Sequence, residues 1–443
     1  MSSSSLTTNM TDPSSSSSSG PRWKNIIVIG ASVAGHSVVN GLAQHLPSGY
    51  RILLIERNAF VHHNPCVVRS LVRPGWDMTN FTAPVRQDTI FPAGSRHRVV
   101  APNRVVKLRR TSVWLEQPFE GVDEIDFEMC ILATGAQSPA PIRPMPGCSL
   151  DDWRTALRRV QDDIASAHSV LIVGGGSVGI EVAGEINDAY PNKRVTIVHW
   201  DVGLLHPSDS GGNTAHTYVP PRTPNKLRKD LESQLRARGI KLQLKDGVDF
   251  EAAKGSGQWG GMPGPLGGMR TIPLVSGGKI EADYVFNSTG NRPNSDLVRW
   301  ADQGSLTTNG YVSVDSYFRV RTRTPNSPLV GHYYAIGDVC NSPSWKTAEA
   351  AIAEGDALAR IIATRLRGMS PAPYSPPGRL LESTVLLGSG GGASIRRFPI
   401  IGYIRSEGSV REKSHDFHAG KNFFSRFRGQ RRFVSTSSWS LAI

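Results

Sequence analysis

Ile26-Ile27-Val28-Ile29-Gly30-Ala31-Ser32-Val33-Ala34-Gly35 opens a stretch that runs through a helical segment to Ile52-Leu53-Leu54-Ile55-Glu56. An apolar strand, a turn of small residues, a helix whose first-turn N–H groups point at that turn, and an acid at the tip of the next strand make a dinucleotide-binding βαβ unit. In such a unit the helix N-terminus takes a pyrophosphate and Glu56 meets ribose hydroxyls. Ser32 stands where the middle glycine is usual, and its hydroxyl is small enough to meet a phosphate. A second copy, Val170-Leu171-Ile172-Val173-Gly174-Gly175-Gly176-Ser177-Val178-Gly179, keeps all three glycines. Two nucleotide folds in one chain imply two nucleotides.

Further anchors lie outside the two fingerprints. Ile131-Leu132-Ala133-Thr134-Gly135 and Tyr284-Val285-Phe286-Asn287-Ser288-Thr289-Gly290 are strands ending in Thr-Gly, where the backbone turns sharply as it leaves a nucleotide domain. Tyr333-Tyr334-Ala335-Ile336-Gly337-Asp338 is an apolar strand ending in Gly-Asp. Its glycine admits close approach, and Asp338 suits a ribityl or phosphate-region contact. Trp345-Lys346 precede the alanine-rich helix 348–363, whose N-terminus suits negative charge on a flavin ring.

These anchors predict an α/β protein of two Rossmann-like three-layer dinucleotide-binding domains, the second inserted in the first, plus a small C-terminal α+β region. The boundaries read as 23–140 and 284–368 for the first domain, 141–283 for the second, and 369–443 for the last. Residues 96–116 read as an antiparallel meander, 139–146 as a proline-rich linker, and 151–165 as a helix. The Gly/Pro-rich 253–278 reads as a loop, a surface hairpin tip or lid.

Residues 1–22 are serine-rich with almost no apolar residues, and we expect a disordered tail over a transit peptide, which needs several basic residues. At 443 residues, 39% hydrophobic and 20% charged, the rest suffices for full-sized cores. Cys66, Cys130, Cys148 and Cys340 are scattered, without a C-x-x-C pair. That excludes a dithiol relay or thiolate zinc site and points to a reducing compartment. No metal site is expected, because His62-His63 has no third ligand in view. The pair reads either as a solvated loop or as a segment over the flavin side of the first domain. The net charge of +13 comes with no nucleic-acid motif, so no specific nucleic-acid partner is expected.

Glu181 reads as a first-turn acid favouring the helix dipole, or as a carboxylate meeting the nicotinamide half of a dinucleotide. The strand 194–199 ends at His199-Trp200-Asp201 without a clean acid at its tip, which leaves NADH versus NADPH open. Lys421-Asn422-Phe423-Phe424-Ser425-Arg426-Phe427-Arg428 interleaves phenylalanines and cations. It suits a packed terminal helix and equally a membrane-surface helix. The expected location is cytoplasmic, with peripheral contact to an intracellular or mitochondrial membrane as the open alternative.

The ordered set Gly30–Gly35, Ala133–Gly135, Gly174–Gly179, Ser288–Pro293 and Tyr334–Asp338 resembles two-dinucleotide flavoprotein oxidoreductases. The His62-His63-Asn64 loop with Arg69, the Gly-Gly-Gly-Ser-x-Gly-Ile-Glu fingerprint and Lys413-Ser414-x-Asp416-Phe417 are similar to the apoptosis-inducing-factor-like branch, which includes ferroptosis suppressors and is allied to type II NADH:quinone oxidoreductases. The resemblance implies that the inserted domain is the NAD domain and the first the FAD domain, with FAD held by Gly30, Ala31, Ser32, Ala34, Gly35, Glu56, Arg57, Arg69, Val106, Thr134, Gly135, Gly290, Gly337 and Asp338. It implies NADH or NADPH held by Gly174, Gly176 and Gly179, and a quinone-like electron acceptor. Glu181 and Lys346 are the expected catalytic residues. Relatives carry a lysine near the Tyr-x-Pro-Gly hinge that Tyr374-Ser375-Pro376-Pro377-Gly378 lacks. This departure leaves two other readings open: a flavin-dependent tailoring oxidoreductase of a specialised metabolite, and a redox-sensing signalling flavoprotein.

Overall fold

A computed structural model describes residues 23–427, apart from 77, 139–140, 206–216, 222, 290–291, 377–382, 399–401 and 406. The expected tail at 1–22 lies outside the described residues. Two five-stranded sheets organise the chain. The first runs Tyr333–Ala335, Met129–Leu132, Lys24–Ile29, Tyr50–Ile55 and Arg98–Val100, all parallel. Ile26, Ile27 and Val28 are fully buried, as befits a central parallel strand covered on both faces. The helices Val33–Ala43 and Ala348–Leu366 pack together on one face. Gly355 permits that contact, since a Cβ there would meet Ser37 Cβ at 2.6 Å.

The second sheet runs Lys241–Leu244, Arg194–His199, Ser169–Val173, Lys279–Asn287 and Gly264–Pro273. Only the last strand is antiparallel. The helix Leu150–Ser166 begins where its sequence says it should, with Ser149 Oγ accepting from Asp152 N at 3.1 Å and the Asp152 carboxylate returning the bond.

Four expectations need correction. Arg98–Val100 extends the first parallel sheet, and the meander consists of Val105–Leu108, Ser112–Phe119 and Val122–Asp126. The expected loop at 253–278 contains the edge strand Gly264–Pro273, where partnering by Lys279–Asn287 overrides the Gly/Pro content. That same strand, Lys279–Asn287, lies wholly in the second sheet, so the chain returns to the first unit after Asn287 and not at 284. Its return runs through Arg292–Pro293, which pairs with Ala136–Gln137.

The C-terminal region is α+β: the strands Ser383–Leu386, Gly392–Phe398 and Gly402–Arg405 precede the helices Glu407–Asp416 and Ala419–Asn422. The fourth correction falls on one of the two readings of the Phe/Arg run, the membrane-surface helix; burial supports the other, a packed terminal segment. Phe423, Phe424 and Phe427 are buried, and Phe427 stacks against His36 of the first unit at 4.0 Å between ring centroids. These rings serve the core and are not offered to a bilayer, while Arg428 and the cations beyond it lie outside the described residues. Among the described residues no helix is long and apolar enough to cross a membrane.

Candidate functional site

Backbone shape builds the first turn. Gly30 N donates to Ile55 O at 2.8 Å, and φ at Gly30 is +104°, a region where a side chain would be strained. A Cβ at Gly30 would stand 2.4 Å from Ala133 O, so the turn presses against the strand that ends in Thr134-Gly135. The Glu56 carboxylate accepts from Ala31 N at 2.8 Å and Asn58 N at 3.2 Å. Burial pushes that carboxyl up, against the pull of these N–H donors. Ser32 occupies the N-cap of Val33–Ala43 without a side-chain capping bond. The first-turn donors and the hydroxyl therefore stand open to the space in front of them.

That space is a cavity of about 640 Å³ onto which both fingerprints open. Gly30, Ser32 and Ala34 line it from the first fold, with Glu56 and Arg57 at the adjoining strand tip. Thr134, Gly135, Asp338 and Lys346 close the same wall, and Gly176 and Glu181 face it from the second fold. Ala31, Gly35, Gly174, Gly179 and Gly337 stand behind as backbone; a Cβ at Gly35 would come within 1.8 Å of Gly30 O. Gly290 lies outside the described residues.

Two expected cofactor contacts are corrected. Arg69 is committed elsewhere: it donates to Glu185 Oε1 and Ser414 O, both at 2.8 Å, and packs on Phe417. Val106 lies outside the cavity walls, on the exposed side of its short strand.

Several lining residues are not singled out by the sequence. Arg143 sits in what reads as a plain linker, yet its guanidinium is half-buried 3.7 Å from Asp338 Oδ2, with Nε buried and unpartnered among the described residues. Burial holds it below the usual arginine range. Asn64 links it to His62: the amide oxygen accepts from Arg143 Nη2 at 2.5 Å, and the amide nitrogen donates to His62 Nε2 at 2.6 Å. His62 packs on Trp153, and burial and then Arg143 push it down to about 3. His63 is fully buried, donates from Nε2 to Phe417 O at 2.9 Å, and is pushed down to about 4 by burial. The solvated-loop reading of this pair is therefore corrected: the C-terminal segment covers His63, and half-buried His62 lines the cavity.

In the second fold Gly174 N donates to Val198 O at 2.9 Å, and Gly175 N donates to His199 Nδ1 at 3.1 Å. His199 thus lines the cavity at the tip where an acid is usual. Glu181 Oε1 accepts from Leu386 N at 3.3 Å and lies 3.9 Å from Lys413 Nζ. Burial raises its carboxyl, with Lys413 opposing. Lys346 Nζ donates to Ser342 Oγ at 3.0 Å and Gly337 O at 3.3 Å.

All four cysteines are free, and none lines the cavity. Cys66, in the segment that follows His62-His63, is buried, donates to Asp416 O at 3.4 Å, and has its thiol pushed well up by burial. Among the described residues no group of histidine, cysteine and acidic side chains is arranged to hold a metal ion.

Residues 24–355 match the family model described as pyridine nucleotide-disulphide oxidoreductase. The apoptosis-inducing factor homolog A of Dictyostelium discoideum is 24% identical over 347 residues, covering 76% of this chain and 76% of that protein. Ferroptosis suppressor protein 1 of Xenopus tropicalis is 25% identical over 360 residues, covering 79% of this chain and 83% of its own length. Among solved structures, reduced Bacillus anthracis CoADR-RHD superposes with a TM-score of 0.57 at 18% identity. That match covers 85% of this chain but 62% of the other, so the chain spans less than two thirds of that structure.

Proposed function

Because the chain belongs to the pyridine nucleotide-disulphide oxidoreductase family, we propose that it is an FAD-dependent NAD(P)H oxidoreductase that passes electrons to a quinone-like organic acceptor and not to a disulfide. One observation carries the acceptor reading: the cavity has nucleotide-fold turns on two sides and no cysteine in its walls. Cys66 and Cys340 are both buried, tied to backbone carbonyls and hard to ionise. A disulfide substrate would find no thiolate partner.

The residues present fit FAD. The Gly30 turn leaves no side chain between backbone and ligand, the helix Val33–Ala43 offers open first-turn donors, and half-buried Arg143 puts a cation on the wall that suits an anion. When bound, the flavin supplies acceptance of hydride from NAD(P)H and release of electrons to the acceptor. Ser32 and the first-turn N–H groups would hold its pyrophosphate, with Arg143 balancing charge. Glu56 is prealigned by Ala31 and Asn58 for ribose hydroxyls. Gly176 caps the helix that would receive the NAD(P)H pyrophosphate, and Glu181, held by Leu386 and Lys413, orients the nicotinamide end. Lys346, held beside Gly337, would offset negative charge on a reduced ring.

Anaerobic titration of the purified holoenzyme with NADH and with NADPH tests the reading. Bleaching of the flavin band by either nucleotide, and its return on adding menadione, is expected. A protein that purifies without flavin, or whose flavin neither nucleotide bleaches, would sink it.

A further inference from the structure

We propose that a side pocket walled by Tyr218, Tyr311, Trp345 and Lys346 seats the electron acceptor, and that it selects small flat aromatic compounds bearing a carbonyl oxygen. This rests on the oxidoreductase reading above and adds to it where the acceptor sits and what it is chemically.

A second cavity of about 280 Å³ opens beside the large one and shares Pro220, Asp338, Trp345 and Lys346 with it. The two cavities therefore adjoin along these side chains. Its volume falls just below the ~300 Å³ at which sites for drug-sized ligands begin, which favours a small ring system.

The walls are rigid. Tyr218 OH donates to Ser344 O at 2.9 Å, and its ring lies 4.7 Å from that of Tyr311, tilted by 51°. Asn309 clamps the Tyr218 backbone, donating from Nδ2 to Tyr218 O at 2.7 Å and accepting from Tyr218 N at 3.2 Å. Its Oδ1 also accepts from Thr307 Oγ1 at 2.8 Å, so Asn309 serves the wall and is not free for a ligand.

The groups left over are donors. Trp345 Nε1 is buried with no partner among the described residues. Lys346 Nζ donates to two oxygens and has three protons, which leaves one, and it lies 4.6 Å from the Tyr218 ring centroid. Asp338, the one carboxylate on the wall, faces Arg143 at 3.7 Å. Donors beside a wall of packed aromatic rings are complementary to a flat ring whose oxygens accept. A cationic ligand meets Lys346 and is disfavoured. With a quinone, each turnover consumes NAD(P)H, one solvent proton and the quinone, and releases NAD(P)⁺ and the hydroquinone: two electrons and two protons reach the quinone oxygens.

The test is isothermal titration of the oxidised holoenzyme with menadione, in the parent protein, Tyr311→Ile and Trp345→Phe. Melting temperature and flavin content identify any variant that fails to fold, and Trp345→Phe removes little beyond the N–H. Saturable binding by the parent, weakened about three- to tenfold in each folded variant, is expected from the loss of one ring contact or one buried hydrogen bond. No saturable binding by the parent, or unchanged binding in both variants, overturns the proposal. So does full competition by NAD⁺ accompanied by equal weakening of NAD⁺ binding in the variants, since the pocket would then belong to the nicotinamide. Menadione that binds as expected but is not reduced by NAD(P)H overturns the quinone reading and leaves the pocket standing.

Discussion

Arg69 donates from Nε to Glu185 Oε1 at 2.8 Å with both side chains buried, an ion pair that joins the short helix Asn64–Ser70 of the first nucleotide fold to the fingerprint helix Ser177–Ala189 of the second. The other Glu185 oxygen accepts from Arg73 Nε, also at 2.8 Å, and Arg73 pairs in addition with Asp188. Glu181, one helical turn before Glu185, faces the cavity instead. One helix thus uses its first acid for the site and its second to set the angle at which the two folds meet.

Removing one partner of this pair leaves a buried charge uncompensated. Arg69→Leu is expected to cost about 3–5 kcal/mol of stability. Glu185→Gln strips the partner from two arginines and is expected to cost at least as much. Thermal melts check this, and a melting temperature unchanged by either substitution contradicts it.

Glu181→Gln keeps the size of the side chain and its contact with Leu386 N but removes its charge. Flavin reduction by NAD(P)H in stopped flow is expected to slow about tenfold, a barrier rise of ~1.4 kcal/mol. Unchanged reductive kinetics would take Glu181 off the list of residues at the nicotinamide.

Gly30→Ala adds a methyl 2.4 Å from Ala133 O at a φ of +104°, with backbone on both sides of the clash. The turn must open, and the variant is expected to purify with little or no flavin. Full flavin occupancy, read from the absorbance spectrum, would falsify the assignment of this turn to FAD.

His36 donates from Nε2 to Arg426 O at 2.8 Å as His63 does to Phe417 O, and the Nδ1 of each ring is buried without a partner. Protonating either would place a charge where nothing accepts it, so burial pushes both down to about 4 from the ordinary 6.5. Between those values the unfolded chain holds the extra protons. Stability from these two contacts is therefore complete above about pH 6.5 and is lost as pH falls toward 4, on the order of 3 kcal/mol per histidine. Amide exchange of residues 413–427 is expected to accelerate from pH 7 to pH 5, after correction for the intrinsic rate. His63→Asn is expected to flatten that dependence, and equal protection at the two pH values would refute it.

Much of the fold and part of the site are legible in the chain. Both fingerprints, the two Thr-Gly strand ends and Gly337-Asp338 announce themselves because close backbone approach admits only the smallest residues, a constraint that local sequence records. The edge strand Gly264–Pro273 is not legible, since its Gly/Pro content speaks for a loop and only the partner strand Lys279–Asn287 settles the matter. Arg143 is equally silent, because nothing in a proline-rich segment tells that its guanidinium will stand on the cavity wall beside Asp338.

The sequence alone determined two nucleotide folds in one chain and the glycines, Ser32 and Glu56 at their turns, because these depend on contacts within a single βαβ unit. Only the tertiary structure decided that Arg69 is a strut and not a ligand, that His62 lines the cavity and that His63 is buried under the C-terminal segment. It also decided that the terminal phenylalanines close the core, and that Tyr218, Tyr311, Trp345 and Lys346 meet in one pocket. Each of these rests on a contact between segments far apart in the chain, and burial, which sets charge and role alike, is a property of that meeting and not of the residue.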